Sequence, residues 1–329
     1  MMRRLSFTLT FAAAAMAAGM LLLAQAPPQG GGKGKGGDKA DGKGKDAKGG
    51  AAQAAVQTIS QLKPGLFLVV GAGGNTSVRV TKDGLIVGDT KNLGDPFYNG
   101  LMDQIKTVSA LPVKWVVVTH HHQDHSGNIK KFTDAGAQVV AHANLKKNLV
   151  TYAPQQGKPG DPTVTYDKKY SFKLGGVKAE VYHYGRAHTG GDSCLYYGDL
   201  KVVQCGDVVV GIAPNIDYPF GGSGLEWLKV LNGIAKLNFD TLIPGHSAPN
   251  ATTMTRADFD AYKKKWETFI ARAQEEAKKG TPKDKLMAAI KTDDIGWNLA
   301  QPNGVWMQPA RLDPFFEEMS TGKVAAMKP

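Results

Sequence analysis

Cysteine is scarce in these 329 residues: there are two, Cys194 and Cys205. That excludes a disulfide-dense small scaffold and any metal site built from thiolates alone. No Gly-x-Ser-x-Gly elbow stands out, so nothing points to a serine nucleophile on a strand-to-helix turn. Basic stretches interleaved with aromatics are missing as well, which argues against a nucleic-acid partner. Between Gly30 and Gly50 no apolar side chain is larger than alanine; the stretch holds ten Gly, six Lys, three Asp and two Ala. Such a stretch buries too little surface to offset its chain entropy, so residues 27–50 read as a disordered linker. Of the net charge of +11, Arg3 and Arg4 supply two and the linker three, leaving a mild +6 for the remainder.

Ahead of the linker, residues 1–26 run from Arg3-Arg4 through an Ala/Leu/Met/Phe stretch to Ala24-Gln25-Ala26. This is the layout of a secretory signal, so the chain is expected to be exported, periplasmic or extracellular. Pro27 disfavours cleavage directly after Ala26, which leaves a retained anchor tethering the chain to a membrane as the other reading. Cys194 and Cys205 flank a hairpin in SCLYYGDLKVVQCG. A turn at Asp199-Leu200 places them opposite each other for a cross-strand disulfide; a turn shifted by one residue leaves two free thiols.

From Gln61 onward β-rich runs and helices follow in order. GLFLVVG, TSVRVT and GLIVGDT read as strands, Phe97 to Leu111 as a helix, PVKWVVVTH as a buried strand, Gly127 to Ala135 as a short helix and AQVVAH as a strand. TYDKKYSFKL, VKAEVYHYG, SCLYYG and LKVVQCGD follow as strands. A helix from Ser223 to Leu237 has Leu225, Leu228, Leu231 and Ile234 or Ala235 on its core face, and DTLIPGH is the next strand. Beyond Pro249 the pattern is helical: Thr255 caps a helix with the stripe Phe259, Tyr262, Trp266, Phe269 or Ile270, and Ala273. A further helix opens at Thr281-Pro282, and Trp297, Trp306, Phe315 and Phe316 are expected to pack back on the body.

The chemistry concentrates where PVKWVVVTH ends. His120, His122, Asp124 and His125 fall within six residues, and imidazoles and a carboxylate so close call for a cation such as zinc. His-x-His-x-Asp-His at a strand end resembles the signature of the metallo-β-lactamase fold superfamily. Four further positions resemble that family's motifs in the family's order: Asp89 in VGDT, His188 in GRAHTGGD, Asp207 in CGDVV and His246 in IPGHS. The resemblance spans roughly Gln61 to Asn250. It implies an α+β fold, a four-layer αββα sandwich over 57–250, with 251–329 as a helical extension packed on the domain.

Carried onto this chain, the family pattern implies two zinc ions. His120, His122 and His188 would hold the first, Asp124, His125 and His246 the second, and Asp207 would bridge them, as in the glyoxalase-II-like branch. Asp89 would support the site from behind, and Asp124 would also orient a metal-bound hydroxide. The implied activity is hydrolysis of an ester, thioester or amide in a small molecule. Because β-lactamases bearing this run usually lack an aspartate like Asp207, β-lactam hydrolysis comes second. A one-iron persulfide dioxygenase and a non-catalytic metal-binding module remain open, since ligand type narrows the metal without fixing it. The 39 residues from Asp207 to His246 leave no room for the extra domain of nucleic-acid-processing members. His121, His142 and His183 read as structural. The loop Ile216–Phe220, with Tyr218 and Phe220, is a candidate lining of the mouth.

Overall fold

Strands with both faces covered alternate which neighbour they meet, and that alternation lays out the molecule. The structure, a computed structural model, describes residues 56–154, 157–301 and 304–327; the signal or anchor and the linker expected at 1–26 and 27–50 lie outside the described residues. Strands β1 (Thr58–Lys63), β2 (Leu66–Val70), β3 (Thr76–Thr81) and β4 (Gly84–Gly88) form an antiparallel meander. Helix α1 (Asp95–Lys106) crosses to β5 (Val113–Val117). Helices α2 (Gln123–Ser126) and α3 (Ile129–Asp134) lead to β6 (Gln138–His142), and α4 (Ala143–Thr151) leads to β7 (Val164–Tyr166). β4 to β7 pair in parallel and complete a seven-stranded sheet.

The second sheet has six strands: β8 (Lys169–Leu174), β9 (Val177–Tyr182), β10 (Cys194–Tyr197), β11 (Val202–Gln204), β12 (Thr241–Ile243) and β13 (Met254–Thr255). Helix α5 (Gly224–Ala235) connects β11 to β12, which pair in parallel. α6 (Arg256–Lys278), α7 (Lys283–Ala289) and α8 (Pro309–Thr321) follow.

Ile86, Val117 and Val140 of the first sheet meet Val181, Leu195, Tyr197 and Ile243 of the second in the inter-sheet core. Their neighbours Leu85, Val87, Val116 and Val139 point the other way, against Leu101 and Ile105 of α1 and Phe132 of α3. Outside the second sheet, α5 to α8 share one core with Val203 and Leu242. The result is the α/β/β/α stack that the motifs implied. Each fully buried aliphatic side chain contributes about 1.5–3 kcal/mol to holding it.

The α6 stripe Phe259, Tyr262, Trp266, Phe269, Ile270 and Ala273 is buried throughout. Thr255 closes a reciprocal capping box with Asp258. Trp297, Trp306 and Phe315 are buried in the same cluster, with Phe316 packed at its edge. Cys194 and Cys205 form a disulfide, because Leu195 pairs with Gln204 and the hairpin turns where the two cysteines fall opposite.

Four expectations are corrected. α1 ends at Lys106 rather than Leu111, because the Thr107 hydroxyl and N–H both turn back onto the Gln104 carbonyl. The helix expected at Gly127–Ala135 starts at Ile129. Asn128 is instead spent tying its side-chain amide to the carbonyls of Thr90 and Asn92 at 2.7 Å each. TYDKKYSFKL breaks into β7 and β8, which belong to different sheets. In α5 the deepest positions are Trp227, Val230, Leu231 and Ile234, with Leu225 and Leu228 only half-buried; Trp227 rotates the face inward by stacking on Trp266.

This topology also places the chemistry. β4 and β5 run parallel, as do β11 and β12, and β9 shares the direction of β11. The segments carrying Asp89, His120–His125, His188, Asp207 and His246 therefore leave the two sheets along one rim.

Candidate metal centre

Leaving β5, Thr119 is fixed to Asp89: its N–H donates to Oδ1 at 2.8 Å and its hydroxyl to Oδ2 at 2.9 Å. Asp89 is fully buried and takes up a left-handed φ of 66°, a strained conformation for a non-glycine residue. The contacts it makes account for that strain. His125 Nδ1 donates to its Oδ2 at 2.9 Å, and His120 Nδ1 lies 3.2 Å from the Thr119 hydroxyl. One carboxylate thus fixes ring orientation in both expected metal sets, and the inner Nε2 atoms are left free.

Two of the remaining rings are held the same way. His188 Nδ1 donates to Asn215 O at 2.7 Å, and His122 Nε2 donates to Asp217 Oδ2 at 2.7 Å. The inner atoms then converge. His122 Nδ1 lies 3.2 Å from His120 Nε2 and 3.0 Å from His188 Nε2. His246 Nε2 lies 3.1 Å from Asp124 Oδ2 and 3.3 Å from His125 Nε2. Asp207 spans the two sets: Oδ1 is 3.3 Å from His125 Nε2 and 3.5 Å from His246 Nε2, and Oδ2 is 3.8 Å from His188 Nε2.

These spacings fit metal ions. Ligands about 2.0–2.1 Å from a tetrahedral zinc stand about 3.3 Å apart. Asp207 Oδ1 is buried without a hydrogen-bond partner, a state that costs free energy unless a cation answers it. The cradle is also cut to size. A Cβ on Gly74 would lie 2.1 Å from His125 Cε1, and one on Gly245 would lie 2.0 Å from Asp207 Oδ1.

Electrostatics separate the two sets. Burial pushes His188 down to about 4, with the neighbouring His122 adding to it. Burial and the adjoining imidazoles hold His120 well below the usual histidine range. Both rings are neutral and ready to ligate. Burial opposes charge on His122, yet its bond to Asp217 raises it overall. In the other set, the Asp207 carboxylate raises His246 to about 10. Burial disfavours charge on His125, but Asp124, Asp207 and Asp89 outweigh it and raise that ring well above its ordinary value. Asp124 and Asp207 are held low by the same imidazoles against the pull of burial.

The structure thus brings together His120, His122, Asp124, His125, His188, Asp207 and His246, with Asp89 behind them. Asp124, Asp207 and His246 form the accessible side, with 25%, 15% and 29% of their side chains exposed. His121 packs against Tyr152 and Phe220, away from the converging nitrogens. His142 and His183 stack on each other at 3.7 Å and bond the carbonyls of Asp167 and Asp192.

The loop Ile216–Phe220 needs correction. Tyr218 is buried and donates its hydroxyl to Glu318 Oε2 at 2.7 Å, so it faces α8 and does not line the mouth. Phe220 is half-buried against His121. The loop's contribution to the centre is Asp217, which the sequence reading missed; the one signal was an acidic residue between Gly/Pro-rich flanks, with nothing to pair it to His122.

The family model for the metallo-beta-lactamase superfamily matches residues 78–246, a span that contains all eight of these positions. Metallo-beta-lactamase IND-1 of Chryseobacterium indologenes is 30% identical over 183 residues, covering 52% of this chain and 71% of its own. The structure of a metallo-beta-lactamase from Pontibacter korlensis aligns with a TM-score of 0.56 at 20% identity, covering 64% of this chain and 99% of that one. The stereoselective inverting sec-alkylsulfatase Pisa1 of Pseudomonas sp. aligns with a TM-score of 0.62 at 15% identity, covering 81% of this chain but 50% of its own. The chain belongs to the metallo-beta-lactamase superfamily: it has that hydrolase-type fold and carries its His/Asp metal-binding sets.

Proposed function

We propose that this chain is a dizinc hydrolase that cleaves an ester, thioester or amide bond in a small molecule. The observation that carries the reading is Asp207, whose two oxygens reach towards different ligand sets, Oδ1 to His125 and His246 and Oδ2 to His188. His120, His122 and His188 would hold one ion and Asp124, His125 and His246 the other. When bound, a zinc pair supplies a water of lowered pKa as nucleophile and polarises the oxygen of the electrophile. Asp124, on the accessible side, would accept a hydrogen bond from that water and so orient it, and Asp207 would keep the two sets in fixed register. Asp89 fixes the His120 and His125 rings, so the ligands are aligned before substrate arrives.

A second reading, β-lactam hydrolysis, is favoured by the 30% identity to IND-1. Both readings use the same ligands and differ in substrate. Metal analysis of protein grown without metal bias, together with a panel of thioesters, aryl esters, lactones and β-lactams, separates them. Two zinc per chain and cleavage of a non-lactam member, lost in Asp207→Ala and His188→Ala, is the expected outcome. One iron per chain would overturn the dizinc hydrolase, and turnover confined to β-lactams would promote the second reading. The N-terminal segment further supports placing the enzyme outside the cytoplasm, either free or tethered. Among the described residues no helix is long and apolar enough to cross a membrane.

A further inference from the structure

Two of the three imidazoles in the His120/His122/His188 set take their outer hydrogen bonds from a single loop. Asn215 O holds His188 Nδ1, Asp217 Oδ2 holds His122 Nε2, and Asp217 N–H donates to His188 O at 2.8 Å. Apart from a 3-10 turn at Tyr218–Phe220, this loop has no regular structure of its own. The body of the domain holds its far side, through Asn148, Arg186 and Gly190 on the carbonyls of Phe220, Gly221 and Gly222, and the helical extension holds the rest. Trp306 Nε1 donates to Pro214 O at 2.9 Å, and Arg311 Nη2 stands 4.0 Å from Asp217 Oδ1. The centre of the grip is Glu318 of α8, which is fully buried. Its carboxylate accepts from five donors: the Tyr218 hydroxyl (2.7 Å), the Ser223 hydroxyl (2.6 Å) and the N–H groups of Gly224 (2.9 Å), Leu225 (3.2 Å) and Ala325 (3.0 Å).

We infer that Glu318 is a positioning residue for one metal set only: by fixing the loop 214–225 it sets the ring orientations of His122 and His188, and with them the affinity of the three-histidine set. The inference rests on the reading of that set as metal-holding. The argument is one of connectivity. Glu318 satisfies the first N–H groups of α5, where the helix dipole also favours its charge. It therefore fixes where the loop ends, and Trp306 fixes where it begins. Between those two points lie the acceptors that aim His122 and His188. In the other set, His125 is aimed instead by Asp89 from the first sheet. The extension is thus coupled to half of the centre, at a sequence separation of 101 residues between Glu318 and Asp217.

The test uses Glu318→Gln, which keeps the shape but turns an amide NH2 towards donors, and Tyr218→Phe, which removes a single donor. Phe259→Leu, in the same core cluster against Phe239, serves as a stability control. Zinc dissociation constants come from chelator competition on the full chain. The affected set is identified by long-range proton–nitrogen spectra of the histidine rings, in which His122 is distinctive because it presents Nδ1 while His120, His188, His125 and His246 present Nε2. The expected result is a loss of about tenfold in the affinity of the three-histidine set in Glu318→Gln. A smaller loss in the same direction is expected in Tyr218→Phe, with the His122 signal changed and the other set unmoved. Equal weakening of both sets, wild-type constants in both variants, or the same selective loss in Phe259→Leu would overturn the inference. A wild-type chain that takes up no zinc would overturn the metal reading and this inference with it.

Discussion

Replacing Gly245 by alanine adds one methyl group, and the structure says what it meets. The Cβ would sit 2.0 Å from Asp207 Oδ1, 2.6 Å from Gly206 C and 2.7 Å from Asp207 N. Two of those atoms are backbone, so a side-chain rotation does not relieve the clash. Ordinary contact begins near 3.4 Å, so the His246 segment and the Asp207 turn must part by about 1 Å. The Gly245 N–H bonds to Gly206 O and Val209 O, at 3.0 and 2.9 Å, lie across that gap. Overpacking of this kind costs about 1–3 kcal/mol, which lowers the melting temperature by roughly 2–4 °C per kcal/mol in a chain of this size. The larger effect is on the centre, because a displacement of about 1 Å in a catalytic constellation costs about 100-fold in rate. Zinc content by mass spectrometry, thermal unfolding and turnover of whichever panel substrate is cleaved should show a folded chain with weakened metal retention and about 1% of the wild-type rate. A Gly245→Ala chain with full zinc content and an unchanged rate would refute the close-packed arrangement of Asp207 and His246.

Two further outcomes are expected. His246 is raised to about 10 by Asp207, so in the metal-free chain it is protonated at neutral pH, and that proton competes with zinc until the pH rises through about 10. Affinity for the zinc held with Asp124 and His125 should therefore climb at least about tenfold per pH unit between roughly pH 7 and 10, and more steeply where His125, also raised, still holds its proton. Calorimetry in buffers of differing ionisation heat should detect the released proton, and a flat pH dependence would contradict the assignment. Replacing both Cys194 and Cys205 by alanine opens a crosslink between residues 11 apart and should lower stability by about 3 kcal/mol in urea unfolding; an unchanged midpoint would mean the strands hold that hairpin without it.

What was legible beforehand was what has a local pattern. The ligand run occupies six consecutive positions, and each later ligand carries its own Gly or Pro neighbours, so every one could be read where it stood. The α6 stripe was equally plain, because a 3.6-residue period repeated over Phe259 to Ala273 specifies a buried face. What escaped depends on partners far away in sequence. Nothing around Asp217 points to His122, 95 residues earlier, and nothing around Tyr218 points to Glu318, 100 residues later. The α5 face was misjudged for a related reason. Leucine spacing favoured Leu225 and Leu228, but the stack of Trp227 on Trp266 at 4.1 Å decides the rotation, and that contact exists only once the extension has docked. The break in TYDKKYSFKL escaped because its residues suit a strand on both sides of Asp167-Lys168; only the handover between sheets separates them.

The rim on which the ligands sit joins two sheets, and neither sheet owns a complete set. His120, His122, Asp124 and His125 leave the first; His188, Asp207 and His246 leave the second. A metal ion seated there is a rivet through the sandwich, and pulling the halves apart means giving it up. Resistance to unfolding then becomes a function of ambient metal, rising by about 2.7 kcal/mol at a hundredfold excess over the dissociation constant of a single site. Either half folded alone would present only part of a claw. Full capture of metal therefore marks the moment at which both halves have closed.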